Sequence, residues 1–244
     1  MKQGLYTVLE NKNIAPDTWR MVLEGDTAPI TAPGQFLNIQ LAGHFLRRPI
    51  SISDWDETTV TIIYKILGHG TEEMTHLPVG AVLDILVGLG NGFSTEKSGD
   101  RPLVIGGGVG IPPLFHLTKK LLAEGRSPVV ILGFNRREDM FYVEEFKALG
   151  AEVVVATADG SFGIPGFVTD GVKTVSGYTY FFTCGPLAML DALEKVVETS
   201  GQFSFEERMG CGFGACMGCT CKTKYGSKRI CKDGPVLERE EIVW

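Results

Sequence analysis

The segment Pro102–Gly125 reads PLVIGGGVGIPPLFHLTKKLLAEG, and three patterns follow one another within it. A continuous apolar run is followed by a glycine-rich turn and then by an amphipathic stretch, as where a β-strand turns directly into an α-helix. The alternation continues downstream in PVVILGFN, FYVEEFKALG, AEVVVATA, TYFFTCG and PLAMLDALEKVVETS. Apolar strands that alternate with helices predict βαβ units and a parallel sheet covered on both faces.

The region upstream of this segment has a different pattern. From Tyr6 to about Phe93, short alternating or β-branched runs are separated by glycine, proline and Asn/Asp clusters, which predicts a small antiparallel barrel or sandwich. From Ser204 onward the periodicity disappears, and glycine and cysteine dominate. We therefore expect a multidomain protein of the α+β and α/β classes, with an antiparallel β-barrel domain at 1–98, a parallel-sheet α/β domain at 99–203 and a small C-terminal domain at 204–244.

Charge and hydropathy limit the classes of function. The chain has 244 residues and a formal net charge of −6. A nucleic-acid binder would need a basic stripe to displace counterions from phosphates, and no run of lysine and arginine is present. The N-terminal stretch MKQGLYTVLENKNIAPD has no apolar run of signal-peptide length, and no segment offers the roughly 18 apolar residues of a membrane span. We expect a cytoplasmic protein without nucleic-acid binding or membrane insertion.

Five of the six cysteines lie in one short C-terminal stretch. Cys211, Cys216 and Cys219 have the spacing C-x4-C-x2-C, and Cys231 follows after eleven residues, which is the spacing of plant-type 2Fe-2S proteins. Neighbouring glycines supply the backbone freedom with which a loop wraps thiolates around an inorganic core. The sequence therefore predicts these four cysteines as ligands of a 2Fe-2S cluster.

Two alternatives remain open for the cysteine stretch. Cys221 lies two residues after Cys219, so alternation along an extended segment does not exclude it as the fourth ligand in place of Cys231. The plant-type pattern takes its fourth thiolate from a distant segment, which favours Cys231 and makes Cys221 a packed thiol. A structural zinc site is the other alternative, although such sites prefer two short C-x2-C pairs.

Two motifs of the first region have the chemistry to hold an anion. In LRRPISISD, Arg48 stands two residues before a β-run and offers a bidentate fork to a pyrophosphate. In GHGTEEM, Gly70 and Thr71 lie where a short helix begins, with Thr71 as the expected N-cap, and free amides at a helix start attract anions. Each motif alone is also compatible with a purely structural role.

The second region carries a candidate nucleotide site. The glycines of IGGGVGIPPL follow a strand and open a helix, as in a phosphate-binding turn, although Ile111 or Pro113 stands where the common fingerprint has its third glycine. A tight crossover turn is the alternative. Cys184, Gly185 and Pro186 end another strand, and ligands bind at the carboxyl ends of parallel strands. A lone cysteine at such a place is also compatible with a core position.

Taken in order, RRPIS, GHGT, GGGVGIPPL and CGPLAML resemble the ferredoxin-NADP reductase superfamily, in which a flavin-binding barrel precedes a nicotinamide-binding α/β domain. The tail ERMGCGFGACMGCTCKTKYGSKRICKDGPVL is similar to one branch of it, the electron-transfer subunits of type B dihydroorotate dehydrogenase. The resemblance covers Leu5 to Trp244. It implies an oxidoreductase subunit with FAD, a 2Fe-2S cluster and NAD as cofactors.

The resemblance also implies residue roles. Ser51 would lie near the flavin ring and Cys184 near the nicotinamide, both as catalytic residues, while Ile50 stands where many plant-type reductases stack a tyrosine. The residues implied to hold FAD are Arg48, Pro49, Ile50, Ser51, Lys65, Ile66, Leu67, Gly70 and Thr71, with Lys65, Ile66 and Leu67 expected in a strand. Those implied to hold the nicotinamide nucleotide are Gly106, Gly107, Gly108, Gly110, Gly185 and Pro186.

The implied partner is a dihydroorotate-oxidising catalytic subunit that contains FMN, in a heterotetramer of two of each chain. NAD and NADP are less easily separated, because GFNRRED offers Glu138 and Asp139 for a ribose hydroxyl but Arg136 and Arg137 for a 2′-phosphate. The family favours NAD. The alternative functions are a reductase subunit of another complex, such as a sulfide dehydrogenase or soluble hydrogenase, and a non-enzymatic zinc or redox-sensing module.

Overall fold

The computed structural model describes all 244 residues and contains a closed six-stranded barrel, a seven-stranded sheet and a two-stranded hairpin. The strands are β1 (Lys2–Ala15), β2 (Thr18–Glu24), β3 (Phe36–Ile39), β4 (Arg48–Trp55), β5 (Thr59–Lys65), β6 (Val82–Leu89), β7 (Leu103–Gly107), β8 (Val129–Phe134), β9 (Glu152–Thr157), β10 (Ile164–Pro165), β11 (Phe181–Cys184), β12 (Gly201–Ser204), β13 (Thr220–Thr223), β14 (Gly226–Arg229) and β15 (Val236–Glu238). The α-helices are α1 (His69–Met74), α2 (Pro113–Ala123), α3 (Val143–Ala148), α4 (Val168–Val172), α5 (Leu187–Glu194) and α6 (Ile230–Asp233). None of these helices has the length and apolar character needed to cross a membrane.

The first region forms the predicted antiparallel barrel, with strand order β1-β2-β5-β4-β3-β6. Its interior is apolar, and Tyr6, Met21 and Tyr64 are among its fully buried side chains. Strand β1 is much longer than the run LYTVLE suggested, since it continues through polar residues to Ala15 and pairs with both β2 and β6. Two irregularities in its pairing with β2 interrupt the alternation that sequence patterns detect.

The second region forms the predicted parallel sheet, in the order β10-β9-β8-β7-β11-β12, and β15 adds an antiparallel edge strand. Successive strand residues point to opposite faces, so that Leu103 and Ile105 join one apolar cluster while Val104 joins the other. Helices α2 and α3 cover the cluster that contains Val104, and helices α4 and α5 cover the cluster that contains Leu103 and Ile105. Both faces are therefore buried, as the continuous apolar strands predicted.

The C-terminal region is joined to both of the other regions. After the hairpin of β13 and β14 and helix α6, strand β15 returns to pair with β12. The expected boundary at Ser204 falls on the last residue of β12. The chain from there onward completes the sheet as well as carrying the cysteines, and the division at 98, 203 and 244 stays a prediction.

Helix α2 packs on strand β4 of the barrel through a polar contact. The carboxylate of Asp54 accepts hydrogen bonds from His116 Nδ1 at 2.6 Å and from Lys119 Nζ at 2.8 Å. The ring of Trp55 stacks on that of His116, with centroids 3.5 Å apart. These contacts hold the barrel against helix α2 of the second region.

Candidate functional site

The four predicted ligand cysteines lie on two segments of the C-terminal region. Cys211, Cys216 and Cys219 belong to the loop between β12 and β13, and Cys231 is on helix α6. The amide of Cys216 donates to Cys211 Sγ at 3.4 Å, and the amide of Cys231 donates to Cys219 Sγ at 3.4 Å, so the four cysteines are associated as two pairs. In a 2Fe-2S cluster each iron takes two protein ligands, so this two-by-two arrangement fits the cluster.

Backbone amides surround these sulfurs. Cys211 Sγ accepts hydrogen bonds from the amides of Ala215 at 3.2 Å and Cys216 at 3.4 Å, and Cys219 Sγ accepts one from the amide of Cys231 at 3.4 Å. Burial opposes ionisation of Cys211, but the surrounding amides outweigh it and lower the pKa of its thiol to about 6. The thiols stand in for the thiolates that bind iron, and the amides suit that negative charge.

The geometry bears on the two alternatives that the sequence left open. The amide contacts associate the four sulfurs two by two, which suits two irons, whereas a structural zinc ion takes all four ligands on one metal. Cys221 lies on β13, half-buried and outside both pairs. Its place outside both pairs fits a packed thiol, and the assignment of the fourth ligand to Cys231 stays a prediction.

The predicted flavin residues meet where β4 approaches α1. A Cβ atom on Gly70 would lie 2.0 Å from Arg48 Nε, so the guanidinium occupies the space that a side chain would fill. Arg48 also hydrogen-bonds to His44 Nδ1 at 2.5 Å and to the Leu46 carbonyl at 2.6 Å. These two bonds leave other N–H groups of the guanidinium free to bind an anion. The neighbouring Leu67 is 80% exposed. A cation beside exposed apolar surface suits the pyrophosphate and ring of a flavin nucleotide.

Two local expectations about the flavin motifs are wrong. Strand β5 ends at Lys65, so Ile66 and Leu67 lie in the loop that follows it. The N-cap of α1 is Gly68, and Thr71 is the third helical residue. Thr71 Oγ1 accepts hydrogen bonds from the amides of Leu67 and Gly68, because a hydroxyl at that position reaches back to the helix start. Thr71 therefore shapes the loop rather than capping the helix.

The remaining implied flavin residues are on the barrel. Pro49, Ile50 and Ser51 lie within β4 and are half-buried, where Ser51 is paired with Phe36 of β3. No hydrogen bond joins the Ser51 side chain to Cys184, which lies in the other sheet.

A cleft of about 570 Å³ lies between the barrel and the carboxyl ends of the parallel strands. Its volume falls within the range of small-ligand pockets. The predicted nucleotide residues Gly107, Gly108 and Pro186 line it, and Lys65 lines its barrel side. Asp139 also lies on its wall, whereas Glu138 does not. The switch from strand to helix at this edge is where dinucleotides bind in open α/β sheets.

The glycines around this cleft have different roles. A Cβ atom on Gly110 would lie 2.3 Å from the Cys184 carbonyl oxygen, and one on Gly185 would lie 2.3 Å from Met189 Cε. Gly106 is packed in the same way against α2. Gly108 has a φ of +52° and no atom near its missing side chain, so it exposes backbone to the cleft. The turn is therefore both a tight crossover and a surface that a phosphate can approach.

Cys184 is buried at the carboxyl end of β11. Burial, followed by the nearby carboxylate of Glu206, raises the pKa of its thiol, so this cysteine is a neutral group at neutral pH. Glu206 was not predicted as a site residue. It lies just after β12, which is the neighbour of β11. Because ligands bind at the carboxyl ends of parallel strands, the reasoning that singled out Cys184 would also have singled out Glu206.

Comparison with known proteins gives consistent results. A family model described as the iron–sulfur cluster binding domain of dihydroorotate dehydrogenase B matches residues 206–243. In solved structures, a chain of an NADH-dependent reduced ferredoxin-NADP oxidoreductase, described for flavin-based electron bifurcation, has a TM-score of 0.90 and 26% identity over 99% of this chain and 90% of that chain. Phthalate dioxygenase reductase shares the fold, with a TM-score of 0.69 and 16% identity over 91% of this chain and 87% of its own.

Two curated relatives carry the name dihydroorotate dehydrogenase B (NAD(+)), electron transfer subunit. The protein of Fusobacterium nucleatum is 43% identical and covers 97% of this chain and 96% of its own length. The protein of Shouchella clausii is 42% identical and covers 99% of this chain and 98% of its own length. Because relatives this similar extend over nearly the whole sequence, the chain belongs to the family of electron-transfer subunits of type B dihydroorotate dehydrogenase.

Proposed function

We propose that this chain passes electrons from the FMN of a dihydroorotate-oxidising partner to NAD+, through its own 2Fe-2S cluster and FAD, in pyrimidine biosynthesis. Bound FAD exchanges two electrons with nicotinamide as hydride and single electrons with a cluster, which is why both cofactors are needed. The residues proposed to hold the cluster are Cys211, Cys216, Cys219 and Cys231. Arg48 and Gly70 are proposed to hold the flavin pyrophosphate, and the turn at Gly108 the nicotinamide nucleotide.

The observation that carries this proposal is the contact between the cluster loop and the barrel. Asn38 Nδ2 on β3 donates to the Cys211 carbonyl at 3.3 Å, and Asn38 is paired with Pro49 on the flavin strand β4. Phe36 of the barrel belongs to the same apolar cluster as Cys219 and Cys231. Two adjacent strands thus connect the proposed cluster site with the proposed flavin site, as an electron relay within one chain requires.

NAD is the proposed nucleotide. Asp139 lies on the cleft wall and binds Arg136, with its Oδ1 3.3 Å from Arg136 Nε, while Arg137 lies over the Phe162 ring, 5.6 Å from its centroid. A carboxylate suits a ribose 2′-hydroxyl and repels a 2′-phosphate, and both arginines already have partners. The curated relatives are also named for NAD(+).

The proposed partner supplies the chemistry on dihydroorotate. This chain offers a nucleotide cleft and a cysteine loop, but no identified base for proton abstraction from a dihydropyrimidine. We therefore propose a complex with an FMN-containing catalytic subunit, two of each chain. A reductase subunit of another complex is the second candidate, because the bifurcating oxidoreductase chain resembles this one along nearly its whole length.

The experiment is an assay of NAD+ reduction at the absorbance band of NADH. The chain alone is expected to oxidise NADH with an artificial acceptor but to give no NAD+ reduction with dihydroorotate. Addition of an FMN-bearing dihydroorotate-oxidising subunit is expected to create that activity. Turnover of dihydroorotate by the isolated chain would contradict the division of labour. If the mixture gives no NAD+ reduction although both components are active and hold their cofactors, a reductase subunit of another complex would be favoured.

A further inference from the structure

Arg229 joins the two segments that carry the proposed cluster ligands. It is the last residue of β14, two residues before Cys231, and its side chain reaches back across the ligand loop. Its Nη1 donates to the carbonyl of Gly214 at 3.0 Å, between the first two cysteines of the loop. Its Nε donates to Asp233 Oδ2 at 3.0 Å and its Nη2 to Asp233 Oδ1 at 3.3 Å, so the guanidinium is held from both sides.

Gly214 is the point at which the ligand loop crosses helix α6. Its φ is +92°, and a Cβ atom there would lie 2.7 Å from Lys232 Cδ, so the helix fills the space above this residue. Gly214 therefore has helix α6 packed against it while its carbonyl is bound by Arg229.

The hydrogen bonds that backbone amides make between the two segments involve the far end of the loop. The amide of Ile230 donates to the Cys219 carbonyl at 3.1 Å, and the amide of Cys231 donates to Cys219 Sγ at 3.4 Å. These bonds hold Cys219 close to Cys231. They do not reach the segment between Cys211 and Cys216, to which Arg229 is bound.

We propose that Arg229 is a positioning residue for the iron–sulfur cluster, which holds the Cys211–Cys216 segment against helix α6 through the Gly214 carbonyl. The inference rests on the proposed function, because it takes the four cysteines as cluster ligands. Residues that orient metal ligands from outside the coordination sphere strongly affect metal retention. Hydrogen bonds to the sulfurs and nearby positive charge also stabilise the more negative, reduced cluster.

The test compares Arg229→Ala and Arg229→Lys with wild-type full-length protein, purified anaerobically. Lys222→Ala is the matched control, because Lys222 is an exposed cation of the same hairpin and has no hydrogen bond or ion pair. The measurements are FAD content, the rate of cluster loss to a chelator, the electron paramagnetic resonance signature of the reduced cluster and its midpoint potential.

Arg229→Ala is expected to keep FAD but to lose its cluster roughly tenfold faster, with a changed resonance signature and a lower midpoint potential. Arg229→Lys keeps the positive charge but loses the guanidinium that bridges Gly214 and Asp233. The midpoint potential of its cluster should therefore lie between those of wild type and Arg229→Ala, and its resonance signature should still change. Lys222→Ala should match wild type. Wild-type values in both Arg229 variants, or loss of FAD together with the cluster in both, would overturn the inference. Wild-type protein without iron and sulfide would instead overturn the proposed cluster itself.

Discussion

At the scale of single residues, Cys231 and Cys221 differ in what surrounds their sulfur atoms. The amide of Cys231 donates to Cys219 Sγ, whereas Cys221 lies outside both pairs on β13. Wild-type protein purified anaerobically should be brown and contain about two iron atoms and two acid-labile sulfides per chain. Cys231→Ser should lose both, and Cys221→Ser should keep them, as measured by iron and sulfide assays. A bleached Cys221→Ser protein beside a coloured Cys231→Ser protein would show that the fourth ligand is Cys221.

Asp139 gives a second prediction at this scale. Replacement by asparagine removes the charge proposed to accept a ribose hydroxyl and releases Arg136, so the KM for NADH should rise about tenfold, equivalent to about 1.4 kcal/mol. The KM for NADPH should fall. Steady-state kinetics with a dye acceptor measure both constants. Glu138→Gln is the control, because Glu138 stands next in the sequence but is not on the cleft wall. Equal effects of the two substitutions would remove Asp139 from the site.

Local spacing was enough to propose the cluster ligands, because three of the four cysteines lie within one short loop, and their role stays a prediction. The tie between Asn38 and Cys211 could not be predicted in this way. The two residues are 173 positions apart, and a polar residue in a strand gives no sign of its distant partner. Asp139 was one of four candidate residues in GFNRRED, and only the fold shows that it, and not Glu138, faces the cleft.

At the scale of elements, the contact between β4 and α1 is the proposed place of the flavin pyrophosphate. Arg48→Ala should weaken FAD retention about thirtyfold, because it removes a charge-assisted pair worth on the order of 2 kcal/mol. Gly70→Ala should have a similar effect, since its Cβ atom would displace the guanidinium from its position on the helix. FAD occupancy after dilution and gel filtration measures both effects.

Gly68→Ala is the control for that pair of substitutions, because no atom lies within 4 Å of the Cβ atom that it would add. It should retain FAD like wild type. Full flavin occupancy in Arg48→Ala would mean that the arginine only supports the start of the strand.

The junction of β4 with α2 should be sensitive to acid. Burial opposes ionisation of Asp54, but His116 and Lys119 outweigh it and hold the pKa of this carboxyl below its ordinary value. Its stabilising contribution is therefore present above about pH 3.9, the unfolded value, and is lost as the pH falls through the lower folded value. Asp54→Asn should reduce the free energy of unfolding at neutral pH by about 2 kcal/mol and flatten its decline in acid. Urea unfolding at several pH values measures this, with the exposed Glu57→Gln as control.

The elements themselves were predicted unevenly. Continuous apolar strands such as Leu103–Gly107 predicted a buried parallel sheet correctly, because burial on both faces leaves no alternation. The extension of β1 to Ala15 and the return of β15 to the sheet were not predicted. The added part of β1 is mostly polar and β15 is very short, so neither shows a clear strand pattern in the sequence. Pairing with distant strands, rather than local preference, determines their extended conformation.

At the scale of the whole molecule, the cysteine loop and the nucleotide cleft involve separate residues. The cleft is lined by the barrel, the glycine turn and helix α5, whereas the ligand loop packs on β3 and helix α6. Loss of the cluster should therefore leave nucleotide binding intact. Barrel, sheet and cluster loop nevertheless form one connected structure, since β15 completes the sheet beyond the last cysteine.

Cys216→Ser tests this separation of the two sites in the complete system. Cys216 is exposed on the loop, so its replacement should remove the cluster with little effect on the buried core. NADH oxidation with a dye acceptor should persist at least in part, because it needs only the cleft and the flavin. NAD+ reduction driven by dihydroorotate and the FMN-bearing subunit should be abolished, because the cluster is the proposed link to that subunit. The comparison requires the variant to bind FAD like wild type, with Cys221→Ser as the cysteine control. Partner-driven NAD+ reduction that survives complete loss of iron and sulfide would show that electrons reach the flavin without the cluster.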